Sequence, residues 1–203
     1  MRKKILIFGA NGLVGNSTKR ILAKSDYEVI ASSRLDTDLF NLDQVKNKIM
    51  DSKPDIIVNA AAKVGGILAN NTYRSEFLIE NLKINMNILE ACIPYPDIKI
   101  INLGSSCIYP LNAENPIKES SIMEGKLEHT NSPYAMAKLS AIELGNSLSI
   151  QYGHQVVNLM PTNLYGPNDN FDENNSHVIP GLISRMHQAK ISNSSKFQIW
   201  GSG

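Results

Sequence analysis

The sequence has few cysteines, little net charge and no long hydrophobic run. Among its 203 residues the only cysteines are Cys92 and Cys107, too few for a disulfide scaffold and consistent with a reducing compartment. A formal net charge of +1 does not indicate a nucleic acid or an anionic membrane as a partner. No apolar run approaches the roughly eighteen residues of a membrane span, and the run after the basic start turns glycine-rich too early for a signal peptide. We therefore predict a cytoplasmic globular protein without a membrane or nucleic-acid partner.

Short β-rich runs alternate with longer helical patterns along the chain, which is typical of βαβ units and a parallel sheet. The predicted strands cover residues 4–9, 28–33, 55–61, 98–104, 155–161 and, near the end of the chain, 197–201. The predicted helices lie near residues 13–24, 42–51, 74–92, 132–152 and 178–190. Because the strands are apolar almost throughout, we expect helices on both faces of the sheet.

A glycine-rich stretch, GANGLVG, follows the first predicted strand and begins the first predicted helix. Glycines at this place let the backbone approach a pyrophosphate, and the helix N-terminus supplies N–H groups and a favourable dipole. The G-x-x-G-x-x-G spacing is a variant of the dinucleotide fingerprint, and three turn or packing glycines are the alternative. The stretch predicts an α/β fold of the Rossmann type, a doubly wound parallel sheet, with cofactor contacts from Gly9, Asn11, Gly12, Leu13, Val14 and Gly15.

The residues after the second strand bear on which nicotinamide cofactor is bound. An acidic residue there would bind the ribose 2′-hydroxyl of NAD, whereas this sequence first offers Ser32, Ser33 and Arg34. A guanidinium pairs with a phosphate through two hydrogen bonds, so Ser33 and Arg34 favour NADP over NAD. In the alternative, Arg34 is a solvated surface charge and Asp36 binds the ribose. NADP(H) is the predicted cofactor, and no metal site is predicted.

A tyrosine and a lysine four residues apart begin the longest predicted helix. Ser132 is its predicted N-cap with Pro133 at the first helical position, and Gly153 is predicted to end it. Tyr134 and Lys138 then project from one face, where the ammonium would lower the pKa of the phenol and suit it to acid–base work. Alone, the Y-x-x-x-K spacing is most often an incidental surface pair.

The glycine loop, a strand that ends in serines and Y-x-x-x-K in the next long helix occur here in that order. This order resembles the extended branch of the short-chain dehydrogenase/reductase superfamily, which modifies sugar nucleotides. The resemblance implies that Tyr134 is the general acid–base, that Lys138 holds the nicotinamide ribose and that Ser105 orients the substrate carbonyl. It also implies cofactor contacts from Ala61, Pro161 and Asn163.

Five strings, which run nearly end to end, are similar to GDP-L-fucose synthases, enzymes that epimerise and reduce GDP-4-keto-6-deoxy-D-mannose. They are NAAAKVGGILANNTYRSEF, NLGSSCIYP, NSPYAMAK, MPTNLYGPNDNF and NSHVIPGLISR. The resemblance implies that Cys107 is the base and His177 the acid for epimerisation at C3 and C5, and that NADPH then reduces the C4 ketone. It implies a GDP-sugar as substrate, with contacts from Val178, Leu182, Arg185 and Trp200.

Some of these residues also have plain structural interpretations. Without the resemblance, Cys107 would more often be a buried small hydrophobic residue and His177 a surface or capping histidine. The core interpretation of Cys107 would stand if His177 lay far from it. Cys92 is predicted to be a core residue, and Asn81 matches an ordinary polar helix position. The Asn11 position departs from family members that carry an arginine there.

The predicted domains are an NADP-binding Rossmann domain over residues 1–161 and the opening of a smaller substrate domain over 162–203, because the family continues past WGSG. An active enzyme is therefore weighed against an inactive nucleotide-binding or dimerisation module. Within the enzymes, the alternatives are a colitose-type relative that acts on another GDP-4-keto-deoxy sugar and a sugar-nucleotide 4-epimerase. The apolar surfaces of the helices 74–92 and 132–152 predict a homodimer.

Overall fold

A five-stranded parallel sheet forms the centre of the computed structural model, which describes residues 2–172 and 175–199. In chain order the strands are β1 (Lys4–Phe8), β2 (Glu28–Ser32), β3 (Ile56–Asn59), β4 (Lys99–Leu103) and β5 (Val156–Leu159). Their spatial order is β2-β1-β3-β4-β5, and every neighbouring pair is parallel. The chain changes direction across the sheet between β1 and β3, the place where ligands bind in doubly wound folds. The predicted sheet is therefore confirmed.

Six α-helices lie in the described part of the chain. They are α1 (Leu13–Leu22), α2 (Leu42–Ser52), α3 (Ile67–Thr72), α4 (Arg74–Cys92), α5 (Ser132–Tyr152) and α6 (Val178–Ile191). The sequence does not predict α3, because six residues are too few to show an apolar period. Among the described residues, no helix combines the length and the apolar character that crossing a bilayer requires.

Two apolar clusters lie on opposite faces of the sheet, because successive side chains of a strand point to opposite sides. On one face, α2, α4 and α5 contribute to a large cluster whose strand residues include Leu6, Phe8, Ile57 and Ile100. The smaller cluster on the other face contains Ile5, Ile7, Ala10 and Val58. The residues of β1 are thus buried on both faces, as a central parallel strand requires.

The edge strand β5 is less buried than predicted. Val157 and Leu159 leave 38% and 47% of their surface exposed, so the expectation of helices over both faces fails at this strand. The strand predicted at residues 197–201 is also wrong for residues 197–199, which have no strand structure. Residues 200 and 201 lie outside the described residues.

The ends of α5 differ in how well the sequence predicts them. The N-cap is Asn131, so the prediction of Ser132 is wrong by one residue, and Pro133 takes the second helical position. The hydroxyl of Ser132 is used elsewhere, because it accepts a hydrogen bond from Arg74 at 3.1 Å. Gly153 ends the helix as predicted, with a φ of 77° in the left-handed region that glycine adopts readily.

Candidate active site

The turn after β1 packs against neighbouring backbone with no room for a side chain at two of its three glycines. Gly9 has a φ of +75°, and a Cβ there would lie 2.7 Å from the backbone nitrogen of Ala61. A Cβ on Gly15 would overlap the carbonyl oxygen of Gly9 and lie 2.9 Å from the Cα of Ala10. Gly12 precedes α1 without a side-chain cap, so the first N–H groups of the helix have no local side-chain partner. This arrangement suits an anion at the start of α1.

A first cavity extends from this turn to the end of β2. Six residues predicted to contact the cofactor line it: Gly9, Asn11, Gly12, Ser33, Arg34 and Ala61. The guanidinium of Arg34 lies 5.9 Å from the ring centroid of Phe40. The cavity therefore brings an exposed cation and a serine hydroxyl to the end of β2.

Asp36, the alternative ribose ligand, has partners within its own turn. Its carboxylate accepts from the backbone N–H of Ser33 at 2.8 Å and from the Ser33 hydroxyl at 2.6 Å. These hydrogen bonds hold the pKa of Asp36 below its usual value. Asp36 does not line the first cavity, so its geometry gives the ribose alternative no support.

A second cavity lies beyond the end of β4 and contains four of the predicted catalytic residues, Ser105, Tyr134, Lys138 and His177. Its lining also includes predicted cofactor residues, namely Gly12, Leu13, Val14, Ala61, Pro161 and Asn163. The two cavities share Gly12 and residues 60–62. A ligand that occupied both would pass the glycine turn.

The side chain of Lys138 is buried at the floor of this site. Its Nζ donates to the carbonyl oxygen of Leu103 at 2.7 Å and lies over the ring of Tyr134, 5.6 Å from the centroid. Burial lowers the pKa of Lys138 from 10.5 to about 8. Burial also raises the pKa of the Tyr134 phenol well above its ordinary value. The predicted lowering of the tyrosine pKa is therefore wrong for this arrangement, since the ammonium contacts the ring face and desolvation dominates.

We expect Lys138→Met to remove a pH dependence of stability. The folded pKa of about 8 lies below the unfolded 10.5, so the unfolded chain binds more protons between these values and the wild type becomes more stable as pH rises through this window. A pKa difference of this size between the folded and unfolded states corresponds to a change of about 3 kcal/mol in the free energy of unfolding. Urea unfolding at pH values below and above the window measures it, with Lys83→Met, an exposed lysine of α4, as the control. The same pH dependence in Lys138→Met and wild type would contradict the expectation.

Cys107 lies in a single 3₁₀ turn, Ser106–Ile108, whose N-cap is Ser105. The backbone N–H of Cys107 donates to the Ser105 hydroxyl at 3.4 Å. Burial raises the pKa of the Cys107 thiol, while the Ser105 hydroxyl and the Lys138 ammonium partly offset this rise. The half-buried cysteine thus interacts with two predicted catalytic residues, although it does not itself line the second cavity. His177 does line that cavity.

The other cysteine, Cys92, is completely buried in the large cluster. Burial raises the pKa of its thiol to about 12. The prediction that Cys92 is a core residue is confirmed.

The predicted substrate residues follow His177, the N-cap of α6. Val178 is exposed, and Leu182 and Arg185 are half-buried. In the described part of the chain, none of these three lines either cavity. Trp200 lies outside the described residues. Substrate contacts from α6 stay a prediction.

Asn81 holds the loop of residues 60–66 after β3, which lines both cavities. The sequence interpretation missed this role. It is completely buried in α4, and its Nδ2 donates to the carbonyl oxygens of Lys63 and Phe77 at 3.0 Å and 2.7 Å. Its Oδ1 accepts from the backbone N–H of Lys63 at 3.0 Å. An amide that bonds both backbone groups of one residue fixes that residue as a strand partner would. An asparagine inside the apolar run FLIENLKINMNIL is the signal that could have indicated it.

A second buried amide network lies beneath the site. Asn59 of β3 donates to Asn85 of α4 at 2.9 Å and to Asn102 of β4 at 3.0 Å. Its Oδ1 accepts from the backbone N–H of Ala61 at 3.2 Å. The same loop that Asn81 holds is therefore fixed at its start as well. The described residues contain no group of three or more side chains suited to binding a metal ion.

Comparisons with known proteins agree with this geometry. The sequence profile of the NAD dependent epimerase/dehydratase family matches residues 5–203. A GDP-L-fucose synthase of Sinorhizobium fredii is 45% identical over 201 residues, which are 99% of this chain and 64% of that protein. A GDP-L-fucose synthase of Escherichia coli is 43% identical over 203 residues, 100% of this chain and 63% of that protein.

Solved structures resemble the fold closely. A GDP-L-fucose synthetase from Naegleria fowleri bound to NADP has a TM-score of 0.86 at 32% identity, and the match covers 99% of this chain and 66% of that one. The chain thus spans slightly less than two thirds of the length of these three proteins.

Proposed function

The chain belongs to the NAD dependent epimerase/dehydratase family, and from that membership we propose that it acts on GDP-4-keto-6-deoxy-D-mannose. The proposed reaction is epimerisation at C3 and C5 followed by NADPH-dependent reduction at C4, which gives GDP-L-fucose. The observation that carries the proposal is the second cavity, whose lining includes Ser105, Tyr134, Lys138 and His177 together with residues of the glycine turn. The 45% identity to a GDP-L-fucose synthase supports the choice of substrate.

NADP(H) is the proposed cofactor, and the residues of the first cavity fit it. Gly9 and Gly15 allow the tight turn and the close packing of α1, because a Cβ on either would meet neighbouring backbone. Gly12 lines the cavity with only an ordinary contact at its Cβ position, so a pyrophosphate can approach its backbone. The exposed guanidinium of Arg34 lies at the other end of the cavity, where its donors suit a 2′-phosphate. The backbone N–H and the hydroxyl of Ser33 are bonded to the carboxylate of their own turn. When bound, the cofactor supplies hydride for the ketone carbon.

Epimerisation needs a base and an acid on opposite sides of each α-carbon. In the proposed assignment Cys107 takes the proton from the carbon next to the ketone, and the electron pair moves to the ketone oxygen as an enolate. Donation from the Ser105 and Tyr134 hydroxyls stabilises that oxygen. His177 then returns a proton to carbon on the other face. The Lys138 ammonium favours the Cys107 thiolate against the effect of burial.

Reduction needs a proton donor for the ketone oxygen. Burial keeps the phenol of Tyr134 protonated, since it raises the pKa of that group. A protonated tyrosine is the form that a reductase requires at the start of the step, because the phenol O–H breaks as the alkoxide accepts its proton. Lys138 lies over the same ring, where its charge stabilises the phenolate that remains.

We expect Cys107→Ser to separate the two half-reactions. Without the thiol, deuterium incorporation at C3 and C5 in heavy water should fall at least about 100-fold, while NADPH binding is kept. Mass spectrometry of the sugar nucleotide measures the exchange. Ser106→Ala, one residue away in the same turn, is the matched control. Equal deuterium incorporation in the two variants would show that Cys107 is not the base.

The substrate itself is tested by NADPH consumption with GDP-4-keto-6-deoxy-D-mannose. Turnover of this compound is the expected result. Consumption only with a colitose-type GDP-4-keto-deoxy sugar would move the assignment to that relative. Bound NADPH with no turnover of any GDP-4-keto sugar would instead support an inactive nucleotide-binding module.

We also propose a homodimer formed through α4 and α5. Ile79 and Met86 of α4 are each 50% exposed, and Met136 and Ile150 of α5 are 45% and 87% exposed. A second copy of the chain would remove this apolar surface from water. Light scattering at micromolar concentration measures the mass, and a monomer would contradict the proposal.

The cytoplasm is the proposed location, because both cysteines are free thiols.

A further inference from the structure

The loop at residues 128–132, whose last residue begins α5, is bonded to the start of α4 by one side chain. Arg74, the first residue of α4, donates from Nη1 to the carbonyl oxygens of His129 at 2.8 Å and Thr130 at 3.3 Å. Its Nη2 donates to the hydroxyl of Ser132 at 3.1 Å. One half-buried guanidinium thus bonds three of the five residues of the loop.

The N-terminus of α5 has no side-chain cap of its own. Its N-cap Asn131 makes no capping bond, and the Oδ1 of that residue is buried without a partner. Glu128 organises the loop from within, since its carboxylate accepts from the backbone N–H groups of Thr130 at 3.0 Å and Asn131 at 3.1 Å. A cation close to a helix N-terminus is opposed by the helix dipole. The position of Arg74 beside the N-terminus of α5 is therefore explained by its directional hydrogen bonds and not by its charge.

The loop is two residues from the proposed acid–base group. Tyr134 follows Ser132 closely in the first turn of α5, and its ring makes an edge contact with Phe77 at a centroid distance of 6.4 Å. Phe77 lies three residues after Arg74, so the first turn of α4 contacts both the loop and the tyrosine ring. A shift of the loop would move the phenol, and small displacements of a catalytic group reduce rates strongly.

We propose that Arg74 is a positioning residue that fixes the loop 128–132 and, through it, the phenol of Tyr134. The inference rests on the proposed function, because Tyr134 is the acid–base group only in that reaction. Lysine is not an equivalent replacement. Its ammonium is a single point, whereas the planar guanidinium reaches two carbonyl oxygens from Nη1 and a hydroxyl from Nη2.

The kinetic test compares Arg74→Gln and Arg74→Lys with Lys83→Gln, an exposed position of the same helix. We expect Arg74→Gln to lower kcat for NADPH-dependent reduction by about 10- to 100-fold, with the KM for NADPH unchanged. Arg74→Lys should recover only part of this loss. A merely structural role would lower the melting temperature and the folded fraction but leave kcat per folded molecule unchanged. That result, or an unchanged kcat in Arg74→Gln, would overturn the proposal.

Hydrogen exchange provides a readout that needs no substrate. The backbone N–H groups of Thr130, Asn131 and Ala135 are bonded within or directly after the loop. Their exchange in the unliganded protein should be faster in Arg74→Gln than in wild type and unchanged in Lys83→Gln. If wild type does not turn over the GDP-keto sugar, the proposed function fails, and this comparison alone decides whether Arg74 fixes the loop. Equal exchange rates in all three proteins would overturn it.

Discussion

Tyr134→Phe is expected to lower the rate of NADPH-dependent ketone reduction by about 1000-fold, within the range that a general acid contributes. The substitution removes only the hydroxyl. The ring contact with Phe77 and the position of Lys138 over the ring remain available to phenylalanine. Fold and cofactor affinity should therefore be kept while the proton donor is lost. Single-turnover oxidation of bound NADPH measures the chemical step apart from product release.

Tyr152→Phe is the matched control for this variant. Tyr152 lies in the last turn of the same helix and is exposed, and its hydroxyl accepts a hydrogen bond from Gln151 at 2.9 Å. Its loss should change the rate by less than about twofold, since it lies outside both cavities. If Tyr134→Phe kept a tenth or more of the wild-type rate, another group would have to donate the proton.

Gly15→Ala should destabilise the fold by about 3 kcal/mol and abolish cofactor binding. Inside a helix, alanine stabilises the fold by about 1 kcal/mol relative to glycine, and this effect acts in the opposite direction. The steric effect is larger, because the new Cβ would meet the backbone of Gly9 and Ala10. That backbone cannot move aside cheaply, since the N–H of Ala10 is bonded to the carbonyl oxygen of Ser32 at 3.1 Å. Urea unfolding and NADPH titration measure the two effects.

Gly12→Ala separates stability from binding in the same turn. A Cβ on Gly12 would have the carbonyl oxygen of Gly9 as its nearest neighbour at 3.5 Å, an ordinary contact. The free energy of unfolding of the variant should therefore lie within about 1 kcal/mol of the wild-type value. It should still bind NADPH more weakly, because Gly12 lines both cavities. A Gly15→Ala protein as stable as Gly12→Ala would mean that the turn is more adaptable than its contacts indicate.

Features with a local physical cause could be predicted from the sequence. The apolar runs of β1 to β5 and the end of α5 at Gly153 depend on residues that lie close together in the chain. The glycine turn is local as well, because a tight turn between a strand and a helix needs glycine at fixed spacings. The Y-x-x-x-K pair follows from the helical period, which places Tyr134 and Lys138 on one face.

Features that depend on burial or on distant partners were missed or mistaken. The N-cap prediction at Ser132 failed because Arg74, 58 residues earlier, bonds that hydroxyl. The expected lowering of the Tyr134 pKa failed because burial in the packed site raises that pKa, and the neighbouring Cys107 acts in the same direction. Asn81 looked like an ordinary helix position because its partner, the backbone of Lys63, lies in another element.

The sequence by itself therefore determined the α/β class, the chain order of β1 to β5 and the glycine turn, because each depends on local periodicity or residue type. The candidate reactive side chains came from a resemblance to a family. Only the tertiary structure decided which of those side chains share a cavity, how far burial shifts the pKa values of Tyr134, Lys138 and Cys107, and which residues hold them in place. Desolvation and directional hydrogen bonds arise from groups far apart in the chain, and their strength is defined only once the backbone has brought them together.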